Sequence, residues 1–160
     1  MDSEADGQHI KASVVPLLSQ KWDLVVAHPL CTYLCNSGVR WLYEQEGRWD
    51  RMRDAAAFFL LCLNANADVV AVENPIMHGH AVSLIGRKHD FSIQPYQFGH
   101  PETKRTCFWT RNLPPLLPTC VVDGRQARVH REPPGPDRCK NRSRTFAGIA
   151  KSMAEQWGSL

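Results

Sequence analysis

The chain lacks any apolar run long enough to cross a bilayer. "AAAFFLLCLNA" is about half the ~20 residues that a span requires. It also lacks a hydrophobic leader, because "MDSEADGQHIK" is acidic and contains no apolar stretch. Its six cysteines lack paired spacing. Scattered among Leu, Val and Ala, they point to reduced thiols in a cytoplasmic protein rather than to a disulfide scaffold. No glycine-rich loop stands near the start, which removes the usual phosphate cradle. What is present is 160 residues with an apolar fraction of 43%, enough for one domain over 1–160.

The net charge of +3 hides an asymmetry. Residues 1–86 hold 6 Lys/Arg against 10 Asp/Glu, a balance of −4; residues 87–144 hold 12 against 5, a balance of +7. A basic stretch is either a solvated surface or a face for phosphates.

Periodicity predicts an alternating chain. A short helix or turn over "IKASVVPLLSQ" precedes a strand from Trp22 to Ala27. A helical stretch around Val39 to Glu46 follows. Then Trp49, Met52, Ala56, Phe59, Leu60 and Leu63 recur at helical spacing, with Asn64 and Asn66 as stop signals. A second strand covers Asp68 to Glu73, and a short helix covers Gly79 to Ile85. "FSIQPYQF" and "RTCFW" read as two more strands. Residues 112–138, rich in Pro, Gly and Arg, read as loop. A closing amphipathic helix places Phe146, Ile149, Ala150, Met153 and Trp157 on one face, with Ser143 or Thr145 as its cap. Strands separated by helices predict an α/β fold with a mainly parallel sheet and an antiparallel terminal strand.

In such sheets the site lies at the carboxyl ends of the strands. Two strands here end alike, one in "HPLC" and the next in "VENP". Each sets a reactive group beside a proline, so Cys31 and Glu73 are expected side by side on one rim. A thiolate there attacks an electron-poor carbon, and a protonated carboxyl donates to the ring under attack.

These motifs resemble those of the DNA cytosine-5 methyltransferases. Pro29 and Cys31 resemble the family's Pro-Cys motif, with Leu30 where a second proline is usual. Glu73 and Asn74 resemble its Glu-Asn motif. "FGHPETKRTCFW" resembles the segment that contacts the flipped base and the DNA backbone; it nominates Lys104 and Arg105, with Glu102 where a Gln is usual. "RSRTFAGIAKSMAEQWG" resembles the closing helix. From Trp22 to Gly158 the chain resembles the small phage- and prophage-encoded members of that family, through "CTYLCNSGVRWLYE", "VENPIMH", "QFGHPETK" and "PPGPDR".

The resemblance implies a Rossmann-like methyltransferase sheet. It also implies methyl transfer from S-adenosylmethionine to cytosine, with Cys31 and Glu73 catalytic and Pro29, Asn74, Lys104 and Arg105 binding the substrate. It covers the catalytic half only. The Phe-x-Gly-x-Gly loop that cradles S-adenosylmethionine has no counterpart before Trp22, and Ser13 stands where an adenine-binding Asp is expected. The expectation is therefore a truncated, weakly active or inactive member that binds S-adenosylmethionine poorly and dimerises along an open sheet edge.

Two other readings remain open. One is a non-catalytic nucleic-acid-binding module running on residues 87–144, with Trp109 as a candidate stacking platform. The other is a metal-binding protein using Cys31 with Cys35, His78 with His80, and His100 with Cys107, although C-x3-C and H-x-H lack the partner pairs of zinc modules.

Overall fold

A computed structural model describes residues 10–158. The fold is α/β, with four strands in one open sheet of order β1-β2-β4-β3: β1 Trp22–Ala27, β2 Ala67–Asn74, β3 Phe91–Ile93 and β4 Thr106–Arg111. The seven helices among the described residues are α1 Val15–Leu18, α2 Trp41–Glu44, α3 Arg48–Leu63, α4 Gly79–Ile85, α5 Arg128–Arg131, α6 Arg138–Ser143 and α7 Ala147–Trp157. None is long and apolar enough to cross a membrane.

β2 is buried on both faces, which explains its unbroken apolar run Val69–Val72. The side-chain period of two divides it. Val70 and Val72 join Met52, Ala56, Phe59 and Leu63 of α3 and Ala81 and Ile85 of α4. Ala71 joins Phe108 of β4 and Ile149, Met153 and Trp157 of α7 on the other face. α3 forms where its apolar residues recur: Gly47, left-handed at φ 68, precedes it, and Asn64 follows as its C-cap. The chain already turns extended at Gln45, so α2 is shorter than the Val39–Glu46 stretch.

The sheet is mixed, not mainly parallel. β1 and β2 pair in parallel, whereas β4 is antiparallel to both β2 and β3. Parallel neighbours need a crossover connection, which α2 and α3 supply between β1 and β2. β3 and β4 are joined by a return loop with no such crossover. β4, the last strand in the chain, lies inside the sheet between β2 and β3. β1 is an edge strand with Trp22 and Val26 exposed; this is the edge along which a second copy was expected to pair.

Other expectations shift locally. β3 stops at Ile93 because Pro95, which has no N–H, opens a 3-10 turn held by reciprocal bonds between Gln94 and Gln97. Neither Ser143 nor Thr145 caps α7. Its N-cap residue is Phe146, and the ring of His100 accepts from the Gly148 N–H at 3.0 Å instead. Ala150 lies outside the buried face of α7. Residues 112–138 are mostly loop, interrupted by α5 and pinned by bridges Phe98–Cys120 and Glu102–Gln126. Trp109 is no stacking platform. It is 1% exposed, packed edge-on against Phe59, and donates its indole N–H to the Arg87 carbonyl.

Gly148 sits where α7 passes the Phe98 carbonyl, and any Cβ there would overlap that oxygen. Backbone cannot rotate aside as a side chain does. Gly148→Ala is therefore expected to push α7 off the sheet and cost about 1–3 kcal/mol, read as a lower urea midpoint.

Candidate functional site at the ends of β1 and β2

The cysteine loop begins where β1 ends. Pro29 is buried, and its carbonyl accepts from Asn74 Nδ2 at 3.0 Å. The Cys31 carbonyl accepts from the amides of Leu34 and Cys35 at 3.0 and 2.9 Å, closing one turn. The loop after β2 then grips this turn. The Asn36 N–H donates to the Ile76 carbonyl and the His78 N–H to the Leu34 carbonyl. His78 Nδ1 accepts from the Ala81 N–H, so its proton is on Nε2, which donates to the Tyr33 carbonyl. Arg48, at the start of α3, donates to the Thr32 carbonyl and stacks on the Tyr33 ring 4.5 Å away.

Alternation along β2 sends Asn74 toward Pro29 and Glu73 to the α7 face. Glu73 lines a narrow pocket with His28, Lys104, Thr106, Phe146 and Met153. Its Oε2 lies 2.9 Å from His28 Nδ1, so one proton can be shared between carboxylate and imidazole. Lys104 reaches the Arg144 carbonyl at 3.0 Å. Burial lowers its pKa, while the charges of Glu73 and Cys31 oppose that fall. Cys31, Glu73 and Lys104 are thus electrically coupled at one rim. The pocket holds about 10 Å³, room for a single water.

The thiol at position 31 does not stand alone. Cys31 and Cys35 are both half-buried, and the Cys35 N–H donates to the Cys31 carbonyl at 2.9 Å. Interaction with the Cys35 side chain, then burial, pushes Cys31 well above the usual thiol range. Interaction with the Cys31 side chain lowers Cys35 to about 5 against the opposing effect of burial, with help from the Ser37 hydroxyl 3.2 Å away and the Gly38 amide. The pair therefore carries its proton on Cys31 and its negative charge on Cys35. Cys107, in β4, is pushed up to about 11 by burial.

The rim brings Glu73, Lys104 and His28 into one pocket beside a frame made by Pro29 and Asn74; Cys31 does not line that pocket and is linked to Glu73 and Lys104 only through their charges. Arg105 is directed elsewhere: it is exposed and bonds Ser92 Oγ on β3 at 3.1 Å. Glu102 is 7% exposed and pairs with Arg128, anchoring the loop before α5. Sequence reasoning missed His28, although it stands inside the "HPLC" motif, and missed Cys35, which it considered only as a metal ligand. Among the described residues no three His, Cys, Asp or Glu side chains converge on a metal-sized site.

The basic segment is largely committed to structure. Arg111 donates to the Ala65 and Ala67 carbonyls, Arg125 stacks on Tyr96 at 3.5 Å, and Arg87 pairs with Asp90. Arg131, Lys140 and Arg142 form no ion pair with other described residues. They belong to α5 and α6, beside a cavity of about 360 Å³ lined by Arg128, Glu132, Asn141, Arg144, Thr145 and Phe146. Thr145 and Phe146 also wall the Glu73 pocket, so the two cavities adjoin.

No protein-family model matches this chain, and no curated protein matches it. The residues at the rim do not fit S-adenosylmethionine. No glycine-rich turn follows β1, and the Ser13 hydroxyl accepts from the Val15 N–H.

Asn74 is 1% exposed, and removing its amide strands the Pro29 carbonyl. Asn74→Ala is expected to cost about 1–3 kcal/mol in urea unfolding. It should also speed hydrogen exchange at the Leu34 and Cys35 amides, where a purely global loss would speed all protected amides alike.

Proposed function

We propose that the chain is a DNA cytosine-5 methyltransferase-like protein, using the rim of a Rossmann-like sheet to hold a cytosine drawn from DNA. The observation that supports this reading is the parallel pairing of β1 and β2, with Cys31 following the end of one and Glu73 near the end of the other, both within range of the Lys104 charge. In this reading the Cys31 sulfur, its proton passing to solvent, adds to carbon 6 of the base. Glu73 and His28 hold one proton for the ring nitrogen that gains electron density. The exposed cations of α5 and α6, next to the pocket, run along the phosphates. A methyl donor lies outside what these residues provide.

The pocket has room for one water, so a base enters only if Phe146 and the start of α7 move. A duplex carrying 2-pyrimidinone, an electron-poor base to which thiolates add without a methyl donor, tests this. We expect a denaturation-resistant adduct at Cys31, abolished by Cys31→Ser and slowed by Glu73→Gln. Binding without any adduct would favour the second reading, a nucleic-acid-binding module without catalysis, which the small pocket and the free cations of α6 also support.

Both readings require salt-dependent binding, because each neutralised phosphate releases counterions. Lys140→Ala with Arg142→Ala is expected to weaken binding to all sequences alike and to flatten the salt slope by about one unit per residue at most. Fluorescence anisotropy at two salt concentrations reads this. A duplex left unbound at low salt would defeat both readings.

A further inference from the structure

The turn Cys31–Cys35 carries a second thiol, Cys35, that addition to a base does not require. Two thiols stand one turn apart, with Thr32, Tyr33 and Leu34 between them. The Cys35 N–H donates to the Cys31 carbonyl at 2.9 Å, and both residues are half-buried, so solvent reaches the pair. Cys35 is not in a continuing helix: its backbone is extended at φ −78 and ψ 150, and its sulfur faces the Ser37 hydroxyl at 3.2 Å. The other four cysteines stand apart from this pair. Cys62 and Cys107 are buried, and Cys120 and Cys139 are exposed with no cysteine beside them in sequence.

We propose that Cys31 and Cys35 are a redox modification site, closed to an intramolecular disulfide by low-molecular-weight disulfides and reopened by thiols. The chemistry does not depend on the methyltransferase reading. Cys35, as thiolate, attacks one sulfur of the small disulfide. The S–S bond breaks, and one small thiolate leaves and takes a proton from water. The Cys31 sulfur then attacks Cys35 Sγ in the mixed disulfide, losing its proton to solvent, and the second small thiol leaves. In sum the protein gives up two hydrogens and one small disulfide becomes two thiols.

Geometry sets the character of the bond. Residues one helical turn apart hold their Cβ atoms about 5–6 Å apart, and a disulfide needs about 3.5–4.5 Å. The turn must therefore tighten while Arg48 and His78 grip its carbonyls. Strained disulfides are the readily reduced ones, so the site suits a reversible switch rather than a permanent staple. Closing it removes the sulfur that the rim presents beside Glu73.

The test uses the reduced full chain in native buffer with oxidised glutathione. Acid quenching, maleimide blocking of remaining thiols and mass mapping of the tryptic peptide 22–40 follow. We expect this peptide to lose two hydrogens and to carry no glutathione, while Cys120 and Cys139 acquire adducts. Cys31→Ser should leave glutathione trapped on Cys35, and Cys35→Ser should leave Cys31 unmodified over the same period. A peptide 22–40 that stays fully reduced, or that carries glutathione on both cysteines, while Cys120 and Cys139 react, overturns the proposal. If a variant does not fold, wild-type labelling decides. Iodoacetamide at neutral pH should mark Cys35 ahead of Cys120 and Cys139, and equal or slower marking overturns the proposal as well. None of these readouts involves nucleic acid, so their failure is distinct from failure of the base-binding reading.

Discussion

One side chain ties the end of β2 to the end of β1. Asn74 donates to the Pro29 carbonyl, where the chain leaves the sheet and the cysteine loop begins. Proline has no N–H and a fixed φ, so this point is stiff but cannot bond to the next strand by its own amide. The neighbour must supply the donor, and a buried amide at the end of β2 does. The remaining bonds from the second loop then settle the turn, with His78 reaching both the Leu34 and the Tyr33 carbonyls. The described buried polar atoms left without a partner, Arg48 Nε and Asn74 Oδ1, belong to the residues that hold this loop. Unsatisfied buried groups cost about 1–3 kcal/mol each, and native structures retain them where geometry serves a site.

Alternation along β2 divides labour between neighbours. Asn74 turns toward Pro29 and supports the frame; Glu73, one residue earlier, turns to the face covered by α7 and meets His28 and Lys104. A one-residue slip of β2 against β1 would exchange these roles, placing a carboxylate against a backbone carbonyl. Burial of Val70, Ala71 and Val72 on both faces opposes that slip, because the two cores they join differ in shape and in residues.

Much of this was legible in the chain. β1 and α4 fall on the residues that periodicity indicated, since an apolar run before His28-Pro29 and helical spacing after His78 leave few alternatives. That Cys31 follows one strand and Glu73 ends its parallel neighbour was legible from two strands ending alike. The mixed sheet was not legible, because β3 and β4 are short apolar stretches whose direction depends on a return loop rather than on their residues. Nor was the fate of Trp109, which a basic neighbourhood made look like a platform while the cavity beside Phe59 claimed it. His28 and Cys35 were hidden for a different reason. Each acts through a partner 45 residues away or one turn away, and spacing alone does not say which atom a ring or a thiol will face.

The rim holds two contacts of different kinds. His28 Nδ1 meets Glu73 Oε2 at 2.9 Å on one side; on the other Cys31 keeps the proton beside a charged Cys35; Lys104 feels both Glu73 and Cys31. A sulfur that is held neutral by its neighbour is protected from adventitious alkylation until that neighbour accepts its proton. The same neighbour is the first to meet an oxidant, so protection of Cys31 and its oxidative closure arise from one contact. Reactivity at this rim is therefore set by the turn that Asn74 and His78 hold, not by the strand that delivers the cysteine.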